Sequence, residues 1–134
     1  QGVREELGRA LEEAVAGEVL PGCRSPLTIL NERSAWPLTP GTQRLADLVK
    51  EVGAALGWDI DQEHRLGTSD SNFFGCAGVP TVDGLGPVCR GYHTPQELVY
   101  ISSIGERTEL LAGVLAALGR AIPAGEWPPE GLHG

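Results

Sequence analysis

Methionine is absent from all 134 residues, position 1 included. The expectation is a chain that begins at a cut: a processed product, a trimmed form or an excerpt of a longer gene product. Basic clusters are missing too. Ten lysines and arginines lie scattered among eighteen acidic residues, giving a formal net charge of -8 and a pI near 4.8. Such a balance gives no electrostatic footprint for a polyanion and argues against a nucleic-acid partner. No run approaches the roughly 18 apolar residues of a membrane span, and no charged-then-apolar leader opens the sequence. A membrane role is therefore not expected. Cys23, Cys76 and Cys89 lack metal-type or redox-type spacing, and an odd number cannot pair completely within one chain. Reduced thiols in a cytoplasmic setting are expected.

What remains is enough for one ordinary domain or part of a larger one, with a hydrophobic fraction of 41%. Val3, Leu7, Leu11 and Val15 recur at helical spacing, and Gly17 stops the run. SPLTILNER reads as a short strand, Leu27 to Glu32, and the proline-marked SAWPLTPGT as a linker or domain crossing. A second helix is punctuated by Thr39 as cap, Pro40 in its first turn and Gly57 as its end. Its apolar stripe is Leu45, Leu48, Val49, Val52 and Leu56. WDIDQEHRL and VPTVDGLGP read as strands, the second buried. Between them GTSDSNFFGCAG turns into a short helix capped by Ser69 or Asp70. The longest helix follows, with Ser103 and Glu106 at capping-box spacing and an apolar face of Ile104, Leu111, Val114, Leu115, Leu118 and Ile122. The tail AGEWPPEGLHG reads as loose. Strands alternating with capped helices predict an α/β fold, a sheet covered by helices.

Ligands bind such sheets in the loops after the strands. Two loops here are polar and glycine-marked: RLGTSDSN, residues 65–72, and DGLGPVCRGYHTP, residues 83–95. Gly67 allows a sharp turn, after which Thr68, Ser69 and Asp70 present polar groups at a helix start, an arrangement that suits an anion and equally suits ordinary capping. His93 sits between Arg90-Gly91 and Thr94-Pro95, a frame that can aim an imidazole at a metal. One histidine is not a zinc site, and His64 and His133 read as surface residues. Ser69 as nucleophile with His93 and Asp83 is a further arrangement, although no G-x-S-x-G elbow is present.

The run GTSDSNFFGCAGVPTVDGLGPVCRGYHTPQELVYISSI, followed by ERTELLAGVLAAL, resembles the C-terminal part of the aminoacylase and glutamate carboxypeptidase family of zinc metallopeptidases. The likeness extends back through TPGTQRLADLVKEVGAALG and more loosely to the first residue. It implies a mixed, helix-covered sheet belonging to a catalytic domain, preceded by the last helix and strand of a ferredoxin-like lid. On that basis residues 1–37 end the lid, which commonly forms a dimer contact. Residues 38–122 complete the catalytic domain, and 123–134 form a flexible tail. Also implied are two zinc ions bridged by water or hydroxide, and a substrate that is a small peptide or an N-acyl amino acid. His93 in RGYHTP matches the family's last metal ligand. Arg33 in NERSAWP matches the lid arginine that meets the substrate carboxylate, to which its planar fork is suited. Gly67, Thr68, Ser69 and Asn72 match a loop lining the substrate pocket.

Two departures qualify the likeness. Cys89-Arg90-Gly91 stands where the family often has three glycines, so the added side chains alter the pocket wall. The family's His-x-Asp pair, bridging Asp and Glu-Glu pair with its general base have no counterpart here; Glu5-Glu6 and Glu12-Glu13 lie on the first helix. No catalytic base is therefore assigned in this chain, and the isolated polypeptide is expected to be inactive. The expected partners are the missing N-terminal half of the same protein and a second copy joined through the lid. The rival expectation is a non-catalytic binding or dimerisation module derived from such an enzyme.

Overall fold

The computed structural model describes residues 2–18 and 20–125. The chain separates into two compact units, Gln1–Glu32 and Arg33–Gly134. In the first, Gly2–Val15 forms helix α1, as the spacing of Val3, Leu7 and Leu11 predicts. None of its side chains is buried within the described unit, so its apolar stripe faces outward. Arg4 pairs with Glu32, and a turn closed by Cys23 N–H on the Leu20 carbonyl leads into the extended residues 24–32.

The second unit is built around two helices. Pro40–Ala55 forms α2, with Thr39 as its N-cap: the Thr39 hydroxyl accepts from the Thr42 N–H at 3.1 Å. Proline in the first turn forfeits no hydrogen bond, because that N–H has no partner inside a helix. Gly57, at φ 82°, takes the left-handed conformation after the last turn. A short helix α3 spans Ser71–Cys76, and β1 (Cys89–Arg90) pairs antiparallel with β2 (Leu98–Val99). Ser102–Ala121 forms α4. No helix among the described residues is long and apolar enough to cross a membrane.

Val49 of α2 meets Leu110 and Val114 of α4 to form the core, with Leu48, Val52, Leu56, Trp58, Ile60, Val82, Leu85 and Leu118 packed around it. The helices approach closely at Gly113, where an added Cβ would lie 2.7 Å from Val52 Cγ1. Three buried polar side chains join loops to this frame. The Thr42 hydroxyl accepts from Thr81 N–H, Asn72 donates to the Ser34 carbonyl, and the Ser103 hydroxyl accepts from Val88 N–H. Buried groups of this kind hold position because leaving them unpaired costs more than a typical bond gains.

The mixture of helices and a small sheet agrees with the α/β reading, but several details differ. The strands expected at 27–32, 58–66 and 79–87 are extended without ladder partners among the described residues. An extended segment becomes a strand only where a neighbour accepts its backbone hydrogen bonds. The third segment is only partly buried: Val79 is exposed, whereas Val82 and Leu85 pack against the core. The expected capping box on α4 does not form. Ser103 lies inside the helix, and its hydroxyl donates to the Tyr100 carbonyl at 2.6 Å while accepting from Val88 N–H at 2.8 Å. Four of the residues assigned to the α4 core face, Ile104, Leu111, Leu115 and Ile122, are exposed, while Leu110 is buried. Most of the tail, residues 126–134 with His133, lies outside the described residues.

Candidate functional site

Arg33 and the 65–72 loop, far apart in sequence, are neighbours in the second unit. Arg33 Nη1 donates to Asp70 Oδ1 at 2.8 Å, and the guanidinium lies over the Phe73 ring, 5.0 Å from its centroid. Stacking and ion pairing together define the plane of the fork. Asn72, two residues beyond Asp70, fastens the loop to the segment that follows Arg33. Its side-chain nitrogen donates to the Ser34 carbonyl at 3.0 Å, and its oxygen accepts from Ser69 N–H at 3.0 Å. Gly75 makes this contact close: a Cβ there would lie 2.5 Å from the Trp36 ring.

The loop's capping chemistry is divided differently from the expectation. Asp70 occupies the N-cap position of α3 but makes no side-chain cap bond, since its carboxylate is turned to Arg33. Ser69 accepts from Ser71 N–H at 3.2 Å. Gly67 does not occupy the left-handed region, and a Cβ added to it meets nothing within 4 Å, so the turn there does not require glycine. Thr68 is exposed.

Asp83 joins the two polar loops. The Ser69 hydroxyl, the Gly84 N–H at 2.7 Å and the Ser71 hydroxyl hold its carboxyl below the usual aspartate range. Among the described residues no hydrogen bond links the His93 ring to Ser69 or Asp83, so the serine–histidine arrangement is not assembled. The depressed Asp83 ionisation has a testable consequence. Its stabilising contribution is present above the unfolded value, roughly pH 4, and is lost as pH falls through the folded one. Asp83→Asn is therefore expected to lower stability at pH 7 by more than it does near pH 3. Urea unfolding at the two pH values checks it, and an equal penalty at both would refute the linkage.

His93 sits at the tip of the hairpin between β1 and β2, in the left-handed region at φ 61°. It is the one non-glycine residue with positive φ among those described. The tip is over-determined. Thr94 donates through both N–H and hydroxyl to the Gly91 carbonyl, at 3.1 and 2.7 Å. Glu97 N–H returns to the Thr94 carbonyl, and His93 N–H donates to Glu97 Oε2 at 3.3 Å. Gly91, at φ 67°, has the Gln96 carbonyl oxygen 2.9 Å from where a Cβ would stand. Arg90, the last residue of β1 in the departing Cys89-Arg90-Gly91 run, lies over Tyr100 at 5.8 Å. As a metal donor His93 stands alone: among the described residues no three His, Cys, Asp or Glu side chains converge on one point. The described residues do not by themselves build a metal centre.

Arg33 and the Asp70, Phe73 and Asn72 group thus form one neighbourhood. Asp70 and Phe73 are the members that sequence reasoning missed as Arg33's partners. Spacing held no signal for them, because a pair separated by 37 positions is brought together by tertiary structure and not by any local repeat.

Carboxypeptidase G2 of Pseudomonas sp. (strain RS-16) is 29% identical over 116 residues, which cover 83% of this chain and 27% of that protein. The chain thus spans about a quarter of the length of that curated relative. No solved structure matches it. The family model for peptidase family M20/M25/M40 matches residues 18–117, which take in Arg33, the 65–72 loop and His93; the chain belongs to that family.

Proposed function

We propose that this chain is the C-terminal part of a zinc-dependent amidohydrolase of the carboxypeptidase type, cleaving an amide bond in a small peptide or an N-acyl amino acid. The observation that carries the reading is the junction of Arg33 with the 65–72 loop. A guanidinium stacked on Phe73, with one nitrogen on Asp70, retains N–H donors for a second carboxylate. A free substrate carboxylate is the ligand such a fork suits. Gly67, Thr68, Ser69 and Asn72 would line or support the same pocket. His93 would hold one of two zinc ions, the remaining ligands and the general base lying outside this chain, so the 134 residues alone would not hydrolyse substrate. Residues 1–37 would end a lid domain and 38–122 a catalytic domain. The exposed α4 stripe of Ile104, Leu111, Leu115 and Ile122 suits cover by the rest of that domain. The outward stripe of α1 suits the lid or a second copy.

The test uses the full-length protein, a panel of N-acetyl amino acids with free carboxylates, and their C-terminal amides. Hydrolysis is expected for the carboxylates, with the amides poorer by a rise in KM. Arg33→Ala is expected to raise KM for the carboxylates by roughly 10- to 100-fold, the worth of charge-assisted hydrogen bonds of about 1.5–3 kcal/mol, and to leave the amides little changed. Equal treatment of acid and amide by both proteins would remove Arg33 from the substrate site.

A further inference from the structure

Arg33 already has a carboxylate in its fork. The Asp70 side chain is 84% exposed, whereas that of Arg33 is 24% exposed and stacked on Phe73. The two halves of the pair are therefore held unequally. Arg33 keeps its place through the Phe73 face as well as the ion pair. Among the described residues the Asp70 carboxylate is paired through one oxygen, with Arg33, and caps no helix N–H. An ion pair with so exposed a partner is worth at most about 1 kcal/mol, whereas a bidentate carboxylate gains two charge-assisted bonds.

We propose that Asp70 is a specificity-determining residue: a resident counter-ion that occupies Arg33 until a substrate carboxylate displaces it or shares the fork. This inference rests on the reading of Arg33 as the substrate-carboxylate site. Its physical content is competition. With Asp70 ionised, an arriving group meets a neutralised arginine beside a like charge. A neutral or monodentate group gains too little to open the pair. A carboxylate that engages two nitrogens at once gains enough. Asp70 therefore lowers affinity for every anion but lowers it least for a geometry that matches the fork. Asn72 and Gly75, which fix the 69–76 segment against residues 34–36, keep Asp70 opposite Arg33 between binding events.

The experiment compares Asp70→Asn with the unaltered full-length protein. The probes are the N-acetyl amino acid hydrolysed fastest, its C-terminal amide as neutral reference, and acetate as a simple competing anion. Removing the charge while keeping an amide oxygen for Arg33 is expected to lower KM for the carboxylate substrate about three- to fivefold, the equivalent of an exposed ion pair. kcat should be unchanged, and inhibition by acetate, whose carboxylate presents the same two oxygens to the fork, should tighten by a similar factor. Asp70→Ser, which also removes the charge, is expected to move KM in the same direction. A KM that rises in both variants would make Asp70 a positioning residue and overturn the competition; an unchanged KM and acetate inhibition would overturn it equally. The Arg33→Ala protein separates this failure from that of the underlying reading. If it still distinguishes acid from amide, Arg33 is not the carboxylate site. If it loses the distinction while the Asp70 variants behave as the unaltered protein, only the counter-ion role falls.

Discussion

Replacing His93 by glycine in the full-length protein is expected to cut hydrolysis severely while leaving the stability of the metal-free protein unchanged or raised by up to about 1 kcal/mol. The two effects have separate causes. Under the proposed function the imidazole is a metal ligand. Losing one removes several kcal/mol of charge stabilisation at the reaction centre, which corresponds to a fall in kcat/KM of roughly a thousandfold. The backbone argues the other way. An L-residue at φ 61° bears a strain of about 1–2 kcal/mol that glycine does not, partly offset by the greater freedom of glycine in the unfolded chain. The hairpin holds this conformation through bonds made by Gly91, Glu97 and Thr94, the last through both its backbone and its hydroxyl, none of which needs the histidine side chain. Kinetics, metal content by elemental analysis and urea unfolding measure the three quantities. Retained activity would remove His93 from the metal site. A loss of stability beyond about 1 kcal/mol in the metal-free protein would show that the left-handed backbone is not strained.

That separation explains why His93 could be noticed in the sequence. Glycine and proline on both sides of a histidine signal an unusual backbone, and the conformation found is one that histidine seldom takes. Strain kept at one residue is more economically explained by a task than by packing. What the frame could not give was the ligand set, because metal donors are gathered by tertiary structure.

The helices show the same division between local and distant causes. Both ends of α2 were legible because they are made by neighbours: Thr39 bonds three residues on, and Gly57 turns the chain where it stands. The start of α4 was not. Ser103 has the spacing of a cap, yet its hydroxyl serves Val88, fifteen residues earlier, and no local rule weighs such a partner. Arg33 and Asp70 were likewise invisible as a pair, although the resemblance assigned Arg33 and the 65–72 loop to one pocket. The strands failed for a stricter reason. Their pattern is a statement about half-burial, and the neighbours that would bury them and accept their hydrogen bonds are not among the described residues. The core face of α4 was read correctly at Val114 and Leu118 but misread at the other four positions, because that helix carries two apolar stripes about 100° apart on the helical wheel. One contains Leu110 and Val114, the other Ile104, Leu111, Leu115 and Ile122. Hydropathy alone cannot say which stripe meets α2.

The two stripes make the stability of the α4 helix a measurement of what covers it. Leu110 has 0% exposure and packs with Val49 and Val114 at the centre of the α2–α4 contact. Leu110→Ala in the full-length protein is expected to cost about 2–5 kcal/mol, the lost transfer energy together with the cavity left behind. Relaxation will be limited where Gly113 already brings Val52 against the neighbouring turn. Leu111, the next residue, lies on the other stripe and is 43% exposed here. If the rest of a catalytic domain covers that stripe, Leu111→Ala should cost at least about 1.5 kcal/mol in the full-length protein, the lower range for a buried leucine. Without such cover it should stay within about 0.5 kcal/mol, as surface changes do. Urea unfolding of the two variants decides both points independently. A small loss at Leu110 would refute the core assignment. A small loss at Leu111 would leave the core intact and refute the proposal that the outer stripe of α4 is completed by the remainder of the enzyme.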